Sequence, residues 1–141
     1  MVRKIGQVAL AAMIAAFGVV VSVGAIVAQD KKDVPTVKEI MAEAHKGKKS
    51  LIAKLKAGVK EEKWDDIAKD SEKFKDLGVA LGKNKPEKGE AASWKELTAE
   101  YKKSTAAVAK GVEKKDQKAA NEALVKIGKS CTSCHDEHKS K

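Results

Sequence analysis

From Pro35 onward the apolar residues of this 141-residue chain recur every three or four positions, and only a few Gly- or Pro-containing stretches interrupt them. That period belongs to one face of an α-helix, and no stretch alternates as a half-buried strand would. Thr36-Val37-Lys38-Glu39 reads as a capping box directly after Pro35. Val37, Ile40, Met41, Ala44, Leu51, Ile52 and Leu55 then hold the helical period as far as Gly58. A second helix is expected from about Glu61, with Trp64, Ile67, Ala68, Ser71, Phe74, Gly78 and Leu81 on one stripe. Gly82 to Gly89, which includes Asn84 and Pro86, is a loop. Ser93-Trp94-Lys95-Glu96 is a second capping box, opening a third helix with Trp94, Leu97, Tyr101, Thr105 and Val108 inward and Gly111 at its end. The fourth helix starts near Asp116 and carries Ala120, Ala123, Leu124, Ile127, Cys131, Cys134, His135 and His138 on one side.

Helices joined by short connections pack as antiparallel neighbours, so the expected fold is all-α, an antiparallel up-down four-helix bundle. In that topology the end of helix four lies beside the start of helix one. Residues near His135 would then face Met41 and His45.

Cys131-Thr132-Ser133-Cys134-His135 spells C-x-x-C-H, the attachment signature of c-type haem. Two thiols add across the two vinyl groups of one porphyrin edge, and the adjacent imidazole binds the iron. Residues 131, 134 and 135 share one helical face, as that chemistry requires. Three other readings compete. A thioredoxin-like pair would open a helix after a strand, and no strand is evident. A zinc site built from Cys131, Cys134, His135 and His138 would crowd adjacent residues into one tetrahedron. A disulfide closing so short a loop would stabilise little. Covalent haem is favoured, with the porphyrin near the C-terminal end of helix four and both thiols as thioethers. Aromatic residues make up only 4% of the chain, so its core would gain much from a buried porphyrin.

The opposite end of the chain agrees. Arg3 and Lys4 precede an uncharged stretch from Ile5 to Val27, the pattern of a secretory signal, with cleavage fitting after Ala28 or Ala25. Residues 1–28 are therefore expected to be a signal peptide, or an uncleaved anchor, since the run approaches the roughly 20 residues that span a bilayer. Residues 29–141 then form one domain in the periplasm, and membrane contact is expected only if the segment is retained. Loss of Arg3 and Lys4 lowers the formal charge of +9 by two. The remaining basic residues are all Lys, interspersed with Glu and Asp. They read as solvated helix faces and, secondarily, as a docking surface for an acidic redox partner. No clustered stripe suggests nucleic acid.

Four helices with C-x-x-C-H near the C-terminus resemble the cytochrome c′ family, the class II c-type cytochromes, and its low-spin Met-ligated members. Ile127-Gly128-Lys129-Ser130-Cys131-Thr132-Ser133-Cys134-His135-Asp136 looks like that family's haem-binding segment, and the Gly-rich loop before Trp94 is similar to its third-helix start. The resemblance implies one haem c per chain, His135 as proximal iron ligand, a helix-one residue on the distal side, and homodimers through the first two helices. One departure stands out. The Arg that family members often place near the propionates is absent, since Arg3 is the only Arg, and Lys38 is the residue available in its place.

The sixth iron position decides between two functions. Met41 is the favoured distal ligand, and thioether plus imidazole is an electron-transfer ligation. Core filling is its ordinary alternative. His45 would give a bis-His site instead, although Lys46, Gly47, Lys48 and Lys49 after it suggest a face becoming wet. A filled position makes a periplasmic electron carrier. An open one makes a five-coordinate binder of small gases such as nitric oxide or carbon monoxide. His138 reads as a surface or propionate-edge residue. No catalytic triad, phosphate loop or carboxylate pair stands out, so an enzyme is not expected.

Overall fold

The computed structural model describes residues 34–140, and the expected N-terminal signal segment lies outside them. Those residues form an all-helical bundle of five helices: α1 (Val37–His45), α2 (Leu51–Lys60), α3 (Trp64–Leu81), α4 (Ala91–Glu113) and α5 (Gln117–His138). Among the described residues no helix is long and apolar enough to cross a membrane.

The first of the four expected helices is in fact two. α1 opens on the expected capping box: the Thr36 hydroxyl accepts from the Glu39 amide at 3.3 Å, and the Glu39 carboxylate accepts from the Thr36 amide at 2.8 Å. It stops at His45, because Gly47 turns into the left-handed region at φ 83° and the Ser50 hydroxyl donates to the Gly47 carbonyl at 2.8 Å. Glycine reaches that region without the penalty a Cβ would incur. α2 then restarts at Leu51, which is buried. The apolar period of Ala44 and Leu51 runs through a turn that carries none of it.

Two glycines expected as punctuation serve packing instead. Gly58 lies inside α2 and faces the Ile67 side chain, so α2 runs on to Lys60 and α3 begins at Trp64. Gly111 lies inside α4, where a Cβ would sit 2.7 Å from the Ala120 amide nitrogen. That close approach seats the end of α4 against the start of α5, whose N-cap Asp116 accepts from the Ala119 amide at 2.9 Å.

The second capping box is also absent. α4 starts at Ala91, three residues early, and Ser93 is already within the helix. Its hydroxyl is committed to His138 at the far end of α5.

α4 packs along α3 on one side and α5 on the other; α2 lies against α3 and α5, and α1 against α2 and α3. Phe74, Leu81, Val108, Leu124 and Ile127 are buried where these helices meet. Each large apolar side chain so buried contributes roughly 1.5–3 kcal/mol. The loop after α3 ties the structure together near the start of α1. The Asn84 amide donates to the Pro35 and Ala80 carbonyls at 3.1 and 3.0 Å, and the Trp94 indole donates to the Asn84 carbonyl at 2.8 Å.

Candidate functional site

Where α1, the start of α4 and the end of α5 converge, they enclose a cavity of about 620 Å³. α5 supplies one wall. Its helical register carries Cys131, Cys134 and His135 to the cavity together, as the i, i+3, i+4 spacing requires. Both thiols are free and half-buried, and the Cys131 thiol donates to the Ile127 carbonyl at 3.3 Å. Burial, then the neighbouring Cys131, pushes the Cys134 thiol up. His135 is exposed at this wall, leaving its ring accessible.

α1 supplies another wall. Val37, Met41 and His45, spaced four apart, all line the cavity. Met41 is partly buried and packs against the core. His45 differs from it in one respect. Its Nε2 lies 2.7 Å from the hydroxyl of Tyr101, the chain's single tyrosine. Phe74 meets the same imidazole edge-on, with ring centroids 5.8 Å apart. Burial holds the His45 pKa below the usual histidine value, and the nearby His135 and Lys56 lower it further. Burial pushes the Tyr101 hydroxyl well above its ordinary value, so it stays protonated. The pattern of inward residues placed Tyr101 in the core but did not reveal its partner. The available signal was that a buried Tyr hydroxyl requires one.

Of the two placements the sequence suggested for His138, surface or propionate edge, the first does not hold, and the residue lines the cavity. It is 3% exposed. Its Nδ1 lies 2.9 Å from the Lys88 carbonyl, which can only accept, so that nitrogen carries the proton. Nε2 lies within hydrogen-bond distance of the Ser93 hydroxyl at 3.1 Å, and the ring stands edge-on to Trp94 with centroids 5.3 Å apart. With both nitrogens engaged, His138 clamps the end of α5 to the loop and to α4. Gly89 makes the clamp feasible, because at its φ of 81° a Cβ would meet the Glu137 carbonyl at 2.7 Å.

Lys38, Lys46, Lys56 and Lys139 contribute to the lining, against two carboxylates, Glu87 and Glu100. Glu100 is already engaged by Lys103 at 2.8 Å and Lys126 at 3.1 Å, hydrogen bonds that hold its carboxyl below the usual range. The lining thus combines an apolar interior, a pair of thiols, an accessible imidazole and uncompensated ammonium groups. A flat apolar macrocycle bearing two carboxylates fits that donor set. Among the described residues no three-or-more cluster of His, Cys, Asp and Glu forms a metal cage.

Residues 85–139 match the family model described as Cytochrome C′. No curated protein and no solved structure matches the chain. The matched stretch covers α4, α5 and the loop before them. Met41 and His45 lie outside it.

Proposed function

We propose that this chain, whose residues 85–139 match the Cytochrome C′ family model, is an exported c-type cytochrome that carries single electrons in the periplasm through one haem. The match to that family implies a covalently bound haem c, and the two free thiols with the accessible His135 beside them suit its attachment. When bound, the haem supplies a one-electron ferric/ferrous couple. Cys131 and Cys134 hold the porphyrin edge to α5, and His135 donates an imidazole nitrogen from the same face. Trp94 and Leu81, with the other apolar lining residues, exclude water from the ring. Lys38 and its neighbours Lys46, Lys56 and Lys139 present positive charge for the propionates and for an acidic redox partner.

The observation that carries the electron-transfer reading is the state of α1. Of its two donors facing the cavity, His45 is engaged by Tyr101, whereas the Met41 thioether lines the cavity partly buried against the core. Thioether and imidazole together leave no position for an exogenous ligand and favour ferrous iron.

The second reading is a five-coordinate binder of nitric oxide or carbon monoxide, favoured by the family match itself, since typical members bind such gases. Absorption spectra of the ferric, ferrous and carbon monoxide-exposed protein test the two. The electron-carrier reading expects low-spin spectra unchanged by carbon monoxide, and a high-spin ferrous form that binds it would overturn that reading.

A further inference from the structure

We propose that Tyr101 determines which α1 side chain reaches the iron, by holding the His45 imidazole through its Nε2. The inference rests on the haem-binding reading of the cavity but not on Met41 as the distal ligand.

Two donors of metal-binding type share one face of α1, and both line the cavity. Nothing in their spacing favours one over the other. What separates them is the contact at 2.7 Å between His45 Nε2 and the Tyr101 hydroxyl. The phenol hydroxyl can donate to Nε2, which then accepts with its lone pair and leaves the ring proton on Nδ1. That lone pair is the one a metal would need. In the opposite tautomer Nε2 donates to the phenol oxygen, and that bond holds the ring toward Tyr101 while Nδ1 keeps the lone pair.

The lock is anchored. Phe74 is 0% exposed, and its ring stands T-shaped to both partners, with centroids 5.8 Å from His45 and 6.2 Å from Tyr101. His45 is also the last residue of α1, so the turn at Gly47 sets the angle at which its side chain leaves the helix. A half-buried nitrogen deprived of its partner must find another, because leaving it unpaired costs free energy. Removing the hydroxyl therefore turns His45 from a bystander into a competing ligand.

Tyr101→Phe keeps the ring, and with it the packing against Phe74, while deleting only the hydroxyl. The experiment compares haem-loaded parent, Tyr101→Phe, His45→Ala and the double variant by near-infrared magnetic circular dichroism and redox titration. We expect Tyr101→Phe to show a bis-imidazole low-spin species and a lower midpoint potential, and the double variant to lose that species. This holds whether the parent is Met-ligated, in which case histidine displaces the thioether, or five-coordinate, in which case histidine fills the vacant position. A haem-loaded Tyr101→Phe with the parent's spectrum would overturn the proposal alone. A parent already showing bis-imidazole ligation would overturn both it and the Met41 assignment. A parent that retains no covalent haem would overturn the haem reading and this proposal with it.

Discussion

The two walls of the cavity are built on different principles. The α5 wall carries its chemistry in a five-residue string, and one helical turn brings both thiols and His135 to the same face. The α1 wall offers two donors on one face, and a residue 56 positions away in the chain distinguishes them. Chemistry written in local spacing survives any rearrangement that leaves the helix intact. Chemistry decided by a cross-helix hydrogen bond depends on the packing that supports it. The α5 wall should therefore respond to substitution in an all-or-none manner, and the α1 wall by a change of ligand.

The largest expected effect lies on the α5 wall. Replacing both Cys131 and Cys134 by Ala should abolish covalent haem, read by haem staining after denaturing electrophoresis. Retained staining would break the comparison at its foundation. Next comes Met41→Ala on the α1 wall. It should leave covalent haem in place, produce high-spin character and admit carbon monoxide, visible in difference spectra. It should also lower the reduction potential, since thioether ligation raises it. If Met41→Ala leaves spin state and gas binding unchanged, the sulfur is core filling.

Two glycines sharpen the contrast in stability. Gly111→Val would drive a branched side chain into the Ala120 backbone, and overpacking of that kind costs about 1–3 kcal/mol, measurable as a lower denaturant midpoint. Gly47→Ala meets no neighbour but must hold a left-handed backbone, which costs roughly 1–2 kcal/mol. Its distinguishing mark should be a disturbed distal spectrum, because the turn sets how α1 ends at His45.

The smallest effect is the pH dependence carried by His45. Its folded pKa lies below the ordinary histidine value of about 6.5, so below that pH the unfolded chain binds more protons than the folded one. The contribution is fully present above about pH 6.5 and is lost as pH falls through the folded value. Denaturant midpoints measured from about pH 7.5 down to about pH 5.5 should therefore decline, and His45→Gln should flatten that decline. A steeper decline in the variant would mean that the imidazole is not held neutral.

Much of this was legible in the residue order. The stripe of α5, the Thr36–Glu39 box and the Asp116 start each depend on contacts within one or two turns, and all are present; the α3 stripe is present except at Ala68, which is exposed, and it includes Leu77, which the expected stripe left out. Ser93 shows where such reasoning fails. Ser93-Trp94-Lys95-Glu96 has the residues of a capping box, yet its serine hydroxyl serves His138, 45 positions on, and the helix starts earlier. Gly58 and Gly111 fail for a related reason: a glycine that ends a helix and one that admits a neighbouring helix look identical in a string.

By itself the sequence determined that the chain is helical and that two thiols and an imidazole share one face of its last helix, because these properties follow from interactions three or four residues apart. It brought Met41 and His45 to the same face of α1 for the same reason. Only the tertiary structure gave them different surroundings. The break at Gly47, the Tyr101 hydroxyl on His45 and the burial of His138 between Lys88 and Ser93 all join groups that meet only after the helices pack. A polar atom's partner in a core is set by which helices converge there, and local spacing carries no record of that convergence.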